Sequence, residues 1–323
     1  LDIDVNLFQP ANSYHERLVR HGIERMRLFD FAFVPNCPEP LERLKNLAAN
    51  EHWGRGARML RSYFNHMFDK VMDDGLLTVH PNGNSAVFHT GLLTRSDQDI
   101  YAVFVPNERD DAQDWFFRGF STRDAIGLGD LLAEHEDLPA RPRFIQRPEQ
   151  AFYSTQSGQP ECDWPSLILD NVSRIPRELI HDATEDRILL PDLRDVGKEA
   201  YIECLEEVER RLADDEGLKV LVSWFESALD RAMDKLDIDY KMAVPSWHAK
   251  DKCVALMLPL NTHQRGVNIA LAVKWDEANG YYFGLNLLTL EMAYNNARLI
   301  ARPEASWLVE ANQPKPQRST SRD

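Results

Sequence analysis

LLTVHPNGNSAVFHTGLLTRSDQDIYAVFV (residues 76–105) holds three apolar runs separated by short polar turns, and their spacing decides the fold class. PNGN (81–84) sits between LLTVH and SAVFH. An Asn-Gly step tolerates the positive φ of a tight turn, so these two runs read as a β-hairpin. DIYAVFV (99–105) and WFFRGF (115–120) follow as two more strands. The links are too short for the crossover that joins parallel strands, so the four runs predict an antiparallel meander.

Working outward, the chain before the hairpin carries Leu60, Phe64, Met67 and Val71 at steps of four, three and four. That spacing predicts an amphipathic helix from about Arg55 to Asp73, stopped by Gly75. A helix followed by a hairpin is also the outline of a winged helix, a module that works on nucleic acid. Beyond the meander, residues 126–195 are rich in Pro and polar side chains. A charged helix is expected from Asp195 to about Asp214. A strongly amphipathic one runs from Leu218 to Leu236, with Leu221, Phe225, Leu229 and Ala232 on its core face. Strands are expected at 252–259, 267–274 and 280–285, and a last helix from Thr289, an N-cap residue type, to just before Pro303. The fold class is therefore α+β with antiparallel sheets. Residues 1–125 form an N-terminal part and 126–311 a C-terminal part packed with it as one unit, while 312–323 read as a mobile polar tail.

The bulk numbers exclude several classes. Over 323 residues, 43% are hydrophobic and 28% charged, the balance of a globular protein. No run reaches the roughly 20 apolar residues of a membrane span, and LDIDVNLFQPANSYHERL lacks the basic head and apolar core of a secretory signal. Cys37, Cys162, Cys204 and Cys253 form no CxxC pair, which suits reduced thiols in the cytoplasm. The formal charge of −15 opposes sequence-blind attraction to DNA or anionic lipid but leaves room for a local basic site. No linear zinc spacing, Walker loop, HExxH or GxSxG motif occurs, so neither a metal nor a cofactor is expected; ten scattered histidines leave a metal centre only to assembly across the fold.

Candidate functional residues fall in four places. On the last helix Glu291, Asn295, Arg298 and Arg302 share one stripe. Two adjacent asparagines are poor helix formers, and an amide beside a guanidinium suits a phosphate and a base edge. A salt bridge from Glu291 to Arg298 or Arg302 serves the same residues structurally, and on residue types alone it is the weightier role. FHTGLLT (88–94) places His89, a general acid or base at neutral pH, beside Thr90, and Gly91 inside a strand marks a bulge or a close approach. LDNVSRIP (169–176) offers Asn171 and Arg174, or a simple turn. DYKMAVP (239–245) sets Lys241 beside a turn made by Pro245, where it could contact phosphate or stand in solvent. The catalytic candidates are His89 and Lys241; the ligand-binding candidates are Asn295, Arg298, Arg302, Asn171, Arg174, Lys241 and Thr90.

FHTGLLTRSDQDIYAVF, DYKMAVPSWHAKDKCVALMLPL and GLNLLTLEMAYNNARLIARPEASWL together resemble an uncharacterised bacterial domain-of-unknown-function family. Its pattern joins an F-N-T-G-L strand, a Y-K-x-A-V-P turn and a closing L-T-L-x-M-A-Y-N-N-A-R-L-I-A-x-P helix. His89 stands where that pattern has Asn. Family members occur beside cold-shock and OST-HTH modules, so the resemblance implies work on RNA or nucleotides. Three readings follow. The first is a binding domain for RNA or a nucleotide, with Arg298, Arg302, Lys241 and Arg174 on phosphate and Asn295 or Asn171 on a base or ribose. The second is an enzyme acting on RNA ends or nucleotides through His89, Lys241 and Arg298. The third is an acidic adaptor for a protein partner.

Overall fold

The computed structural model describes residues 28–35, 39–48, 53, 58–109, 113–191, 198–262 and 266–311. The expected start of the first long helix at Arg55, the stretch 192–197 and the tail 312–323 lie outside them. The chain is an α+β protein whose contacts divide it into two units, residues 2–143 and 144–323.

The first unit runs α1 (Leu28–Phe31), β1 (Ala32–Phe33), α2 (Glu39–Leu47), α3 (Arg58–Asp73), β2 (Thr78–Val79), β3 (Ala86–Leu93), β4 (Asp99–Pro106), β5 (Trp115–Ser121) and α4 (Leu128–Glu134). The hairpin and meander predicted from 76–120 are present, with β2 to β5 antiparallel in sequence order. β1 adds a parallel partner to β5, which two residues without periodicity could not announce. Leu60, Phe64, Met67 and Val71 are all buried. Their helix lies on an aromatic sheet face, where Phe64 stacks on Phe88 at 5.6 Å and Phe68 meets it edge-on at 5.6 Å. On the reverse face Val87, Tyr101 and Val103 pack against Leu132 of α4. Gly91 sits in a register shift between His89 and Leu93, at φ 76°. A Cβ there would meet the Tyr63 hydroxyl at 2.6 Å and Met67 Cε at 2.8 Å, so the glycine serves both the bulge and the close approach of α3.

The second unit contains α5 (Trp164–Leu169), α6 (Arg177–Ala183), α7 (Lys198–Ala213), α8 (Glu216–Ile238), β6 (Val244–His248), β7 (Cys253–Leu260), β8 (Ile269–Asp276), β9 (Tyr281–Leu288), α9 (Leu290–Ile300) and α10 (Ser306–Ala311). Its sheet is antiparallel in the order β6-β7-β8-β9. Leu256, Leu258, Ile269, Leu271 and Val273 form one sheet face and share a core with Leu221, Phe225, Leu229 and Ala232 of α8. Alternation sends Met257, Ala270 and Ala272 to the other face, where they are also buried and where α9 packs, mainly over β6. Pro245 does not end the chain's extended run as its turn reading implies. It lies inside β6, an edge strand, the one place in a sheet where the missing N–H does no harm. At the opposite edge the Glu161 N–H donates to the Tyr282 carbonyl at 2.8 Å, and the Gly284 N–H donates to the Glu161 carbonyl at 2.8 Å. No helix among the described residues is long and apolar enough to cross a membrane.

Candidate functional site

The last helix begins as its sequence predicts: Thr289 is the N-cap, its hydroxyl accepting from the Met292 N–H at 3.3 Å. Its polar stripe is not an open surface. Glu291 and Arg302 are exposed at the two ends, whereas Asn295 and Arg298 are only 7% and 5% exposed. The reason is that α9 has neighbours on two sides, β6 beneath it and α10 beside it, so burial extends beyond the apolar residues. Trp307 of α10 donates from Nε1 to the Met242 carbonyl at 3.0 Å, tying the closing segment to the turn that precedes β6. Two of the three segments that carry the family resemblance therefore form one packed body.

The remaining candidates separate. His89 and Thr90 belong to the first unit, and Asn171, Arg174, Lys241, Asn295, Arg298 and Arg302 to the second. His89 has both ring nitrogens engaged: Nδ1 accepts from the Gly91 N–H at 2.8 Å, and Nε2 lies 2.9 Å from Asp99 Oδ1. Burial holds its pKa below the ordinary value, with Asp99 opposing. A neutral imidazole with its donor and acceptor both committed locks the bulge and has no lone pair to offer a substrate. Thr90 is likewise spent, its hydroxyl donating to the Ile100 carbonyl at 2.7 Å. The Asn171 amide donates to the Leu167 carbonyl at 2.8 Å and is buried. Lys241 is exposed on a 3-10 turn, 240–242.

Arg174 is the candidate that leads to a cluster. Its Nη1 donates to Asn286 Oδ1 at 2.5 Å and to the Leu287 carbonyl at 2.9 Å, both on β9. The sheet register shows what shares that face. Ser246 pairs with Ala255, Met257 with Ala272, and Ala272 with Asn286; two residues further along, Lys274 pairs with Phe283. Directly opposed residues share a face and alternate residues repeat it, so His248, Cys253, Lys274, Phe283 and Asn286 all belong to one side of the sheet. His248 and Cys253 are themselves opposed at the mouth of the β6–β7 hairpin. Asp251 lies in the turn between them, 3.4 Å from His248 Nδ1, and Lys252 takes the positive φ of 47° that closes that turn.

Electrostatics agree with the gathering. Burial lowers the His248 pKa and Asp251 raises it, while Lys250, Arg174 and Lys274 lower it further. Burial raises the Cys253 thiol, with Lys274 opposing. Three cationic side chains thus act on one half-buried imidazole in a chain of net charge −15. Sequence reasoning missed His248, Asp251, Lys274, Phe283 and Asn286 because β6 was hidden behind Pro245. Once VPSWH is a strand, H-x-x-D-x-C becomes a hairpin, and that was the signal available.

A family model for a domain of unknown function, DUF3825, matches residues 44–307, and the chain belongs to that family. Neither a curated protein nor a solved structure matches the chain.

Proposed function

We propose that this member of the family binds RNA or a nucleotide through its phosphate, on the sheet face that carries Arg174, Lys274 and His248. The observation that carries the reading is the placement of Lys274 on the same sheet face as Asn286, which accepts from Arg174 at 2.5 Å, in an acidic protein. A local cationic site in a negative field selects a compact anion rather than a polyanion in general. Lys274 stands directly across from Phe283, which is half-buried. A cation and an aromatic face at that spacing suit a phosphate and the base attached to it. Asn286, fixed by Arg174, adds an amide for a ribose or base edge. Of the ligand-binding candidates read from the sequence, Arg174 is the one this reading uses.

Fluorescence anisotropy with a labelled single-stranded RNA of a few nucleotides, competed with mononucleotides, tests this. Saturable binding is expected at low salt, weakening steeply as salt rises. Arg174→Ala with Lys274→Ala should lower affinity at least tenfold, about 1.4 kcal/mol. No saturable binding at low salt, or a double variant that binds as the parent does, overturns the reading.

A further inference from the structure

The hairpin mouth holds a second kind of chemistry, which shares only His248 with the phosphate reading. A His imidazole, an Asp carboxylate and a Cys thiol offer one ligand atom each, all within 4.8 Å of one another. We propose that His248, Asp251 and Cys253 bind one divalent transition-metal ion of the zinc and cobalt class.

Three features support this. Metal–ligand bonds of about 2.0–2.3 Å in a tetrahedron place donor atoms roughly 3.3–3.7 Å apart. His248 Nδ1 and Asp251 Oδ2 already stand at 3.4 Å, and the whole set needs to contract by about an ångström, which side-chain torsions supply. The backbone is also prepared, since the β-ladder sets His248 opposite Cys253 and the turn closed by Lys252 returns Asp251 toward them. Finally the donor types select the ion. Imidazole with thiolate favours zinc or cobalt over magnesium or calcium, which take oxygen ligands. Thiolate and carboxylate together bring two negative charges, which match a dication in spite of Lys250 and Lys274. Three protein ligands leave a fourth position open, the arrangement of a reactive rather than a purely structural centre.

The test uses the full chain without an affinity tag, titrated with Co²⁺ and with Zn²⁺ against a chromophoric chelator, in the absence of RNA. One equivalent should bind, and cobalt should give a thiolate charge-transfer band in the near ultraviolet. Cys253→Ser should abolish that band, while Cys204→Ser, on α7, should leave it intact. His248→Gln and Asp251→Asn should each weaken binding at least tenfold. Asp251 is in an exposed turn, so its variant stays interpretable if a strand variant fails to fold. No stoichiometric binding, a band that survives Cys253→Ser, or unchanged affinity in Asp251→Asn overturns the proposal. Metal binding without RNA binding, or the reverse, separates it from the phosphate reading.

Discussion

His89 shows how much one side chain's role depends on its two nitrogens. One accepts from the Gly91 N–H and the other faces Asp99, so the ring is a clasp for the β3 bulge. An asparagine there keeps the first bond as a local Asx turn, though it falls short of Asp99. A leucine keeps neither and leaves a buried N–H without its acceptor. Urea unfolding should therefore find His89→Leu destabilised by about 1–3 kcal/mol and His89→Asn by about 1 kcal/mol less. Equal losses would refute the clasp. Gly91 and Thr289 were legible because each answers a purely local demand, a positive φ in one case and a cap in the other. The burial of Asn295 and Arg298 was not legible, for the opposite reason. Helical periodicity locates a single buried stripe, and it carries no information about a second neighbour such as α10.

At the scale of elements, the meander and α8 were readable from pattern alone, the first from short polar turns between apolar runs and the second from a long apolar stripe at helical spacing. β6 was not. Five residues with a proline give too little alternation, and its strand character comes from pairing with β7 rather than from its own propensity. Missing that strand also hid the register that aligns His248, Lys274 and Phe283. Helix α9 depends on its first turn, because it must start at once after β9 ends at Leu288. Thr289→Ala removes the hydroxyl that accepts from Met292 and should cost about 1 kcal/mol in the same unfolding assay. A loss near zero would mean that packing by β6 and α10 alone sets the helix start.

Across the whole molecule, three buried or half-buried histidines give the stability a common dependence on pH. His89, His135 and His248 all have folded pKa values below the ordinary 6.5, burial being the largest cause in each. The unfolded chain then binds more protons than the folded one between those lowered values and about 6.5. Their contribution is complete above a pH of about 6.5 and is lost as pH falls through that window. The urea midpoint should drop on going from about pH 7.5 to about pH 5.5, and His89→Asn should flatten part of the drop. A midpoint that rises on acidification would contradict the assignment.

The segment around Glu161 has a further consequence for how copies of this protein behave toward each other. An edge strand exposes a row of amides and carbonyls on which a foreign strand can grow. Along Tyr282–Gly284 the chain has filled that row with its own backbone. Gly284 makes room for this, since a Cβ there would meet Cys162 Sγ at 2.8 Å and Leu167 Cδ1 at 2.9 Å. The other edge, β6, is short and interrupted by Pro245. Both rims of the sheet are thus guarded against templated self-association, one by occupation and the other by a missing donor.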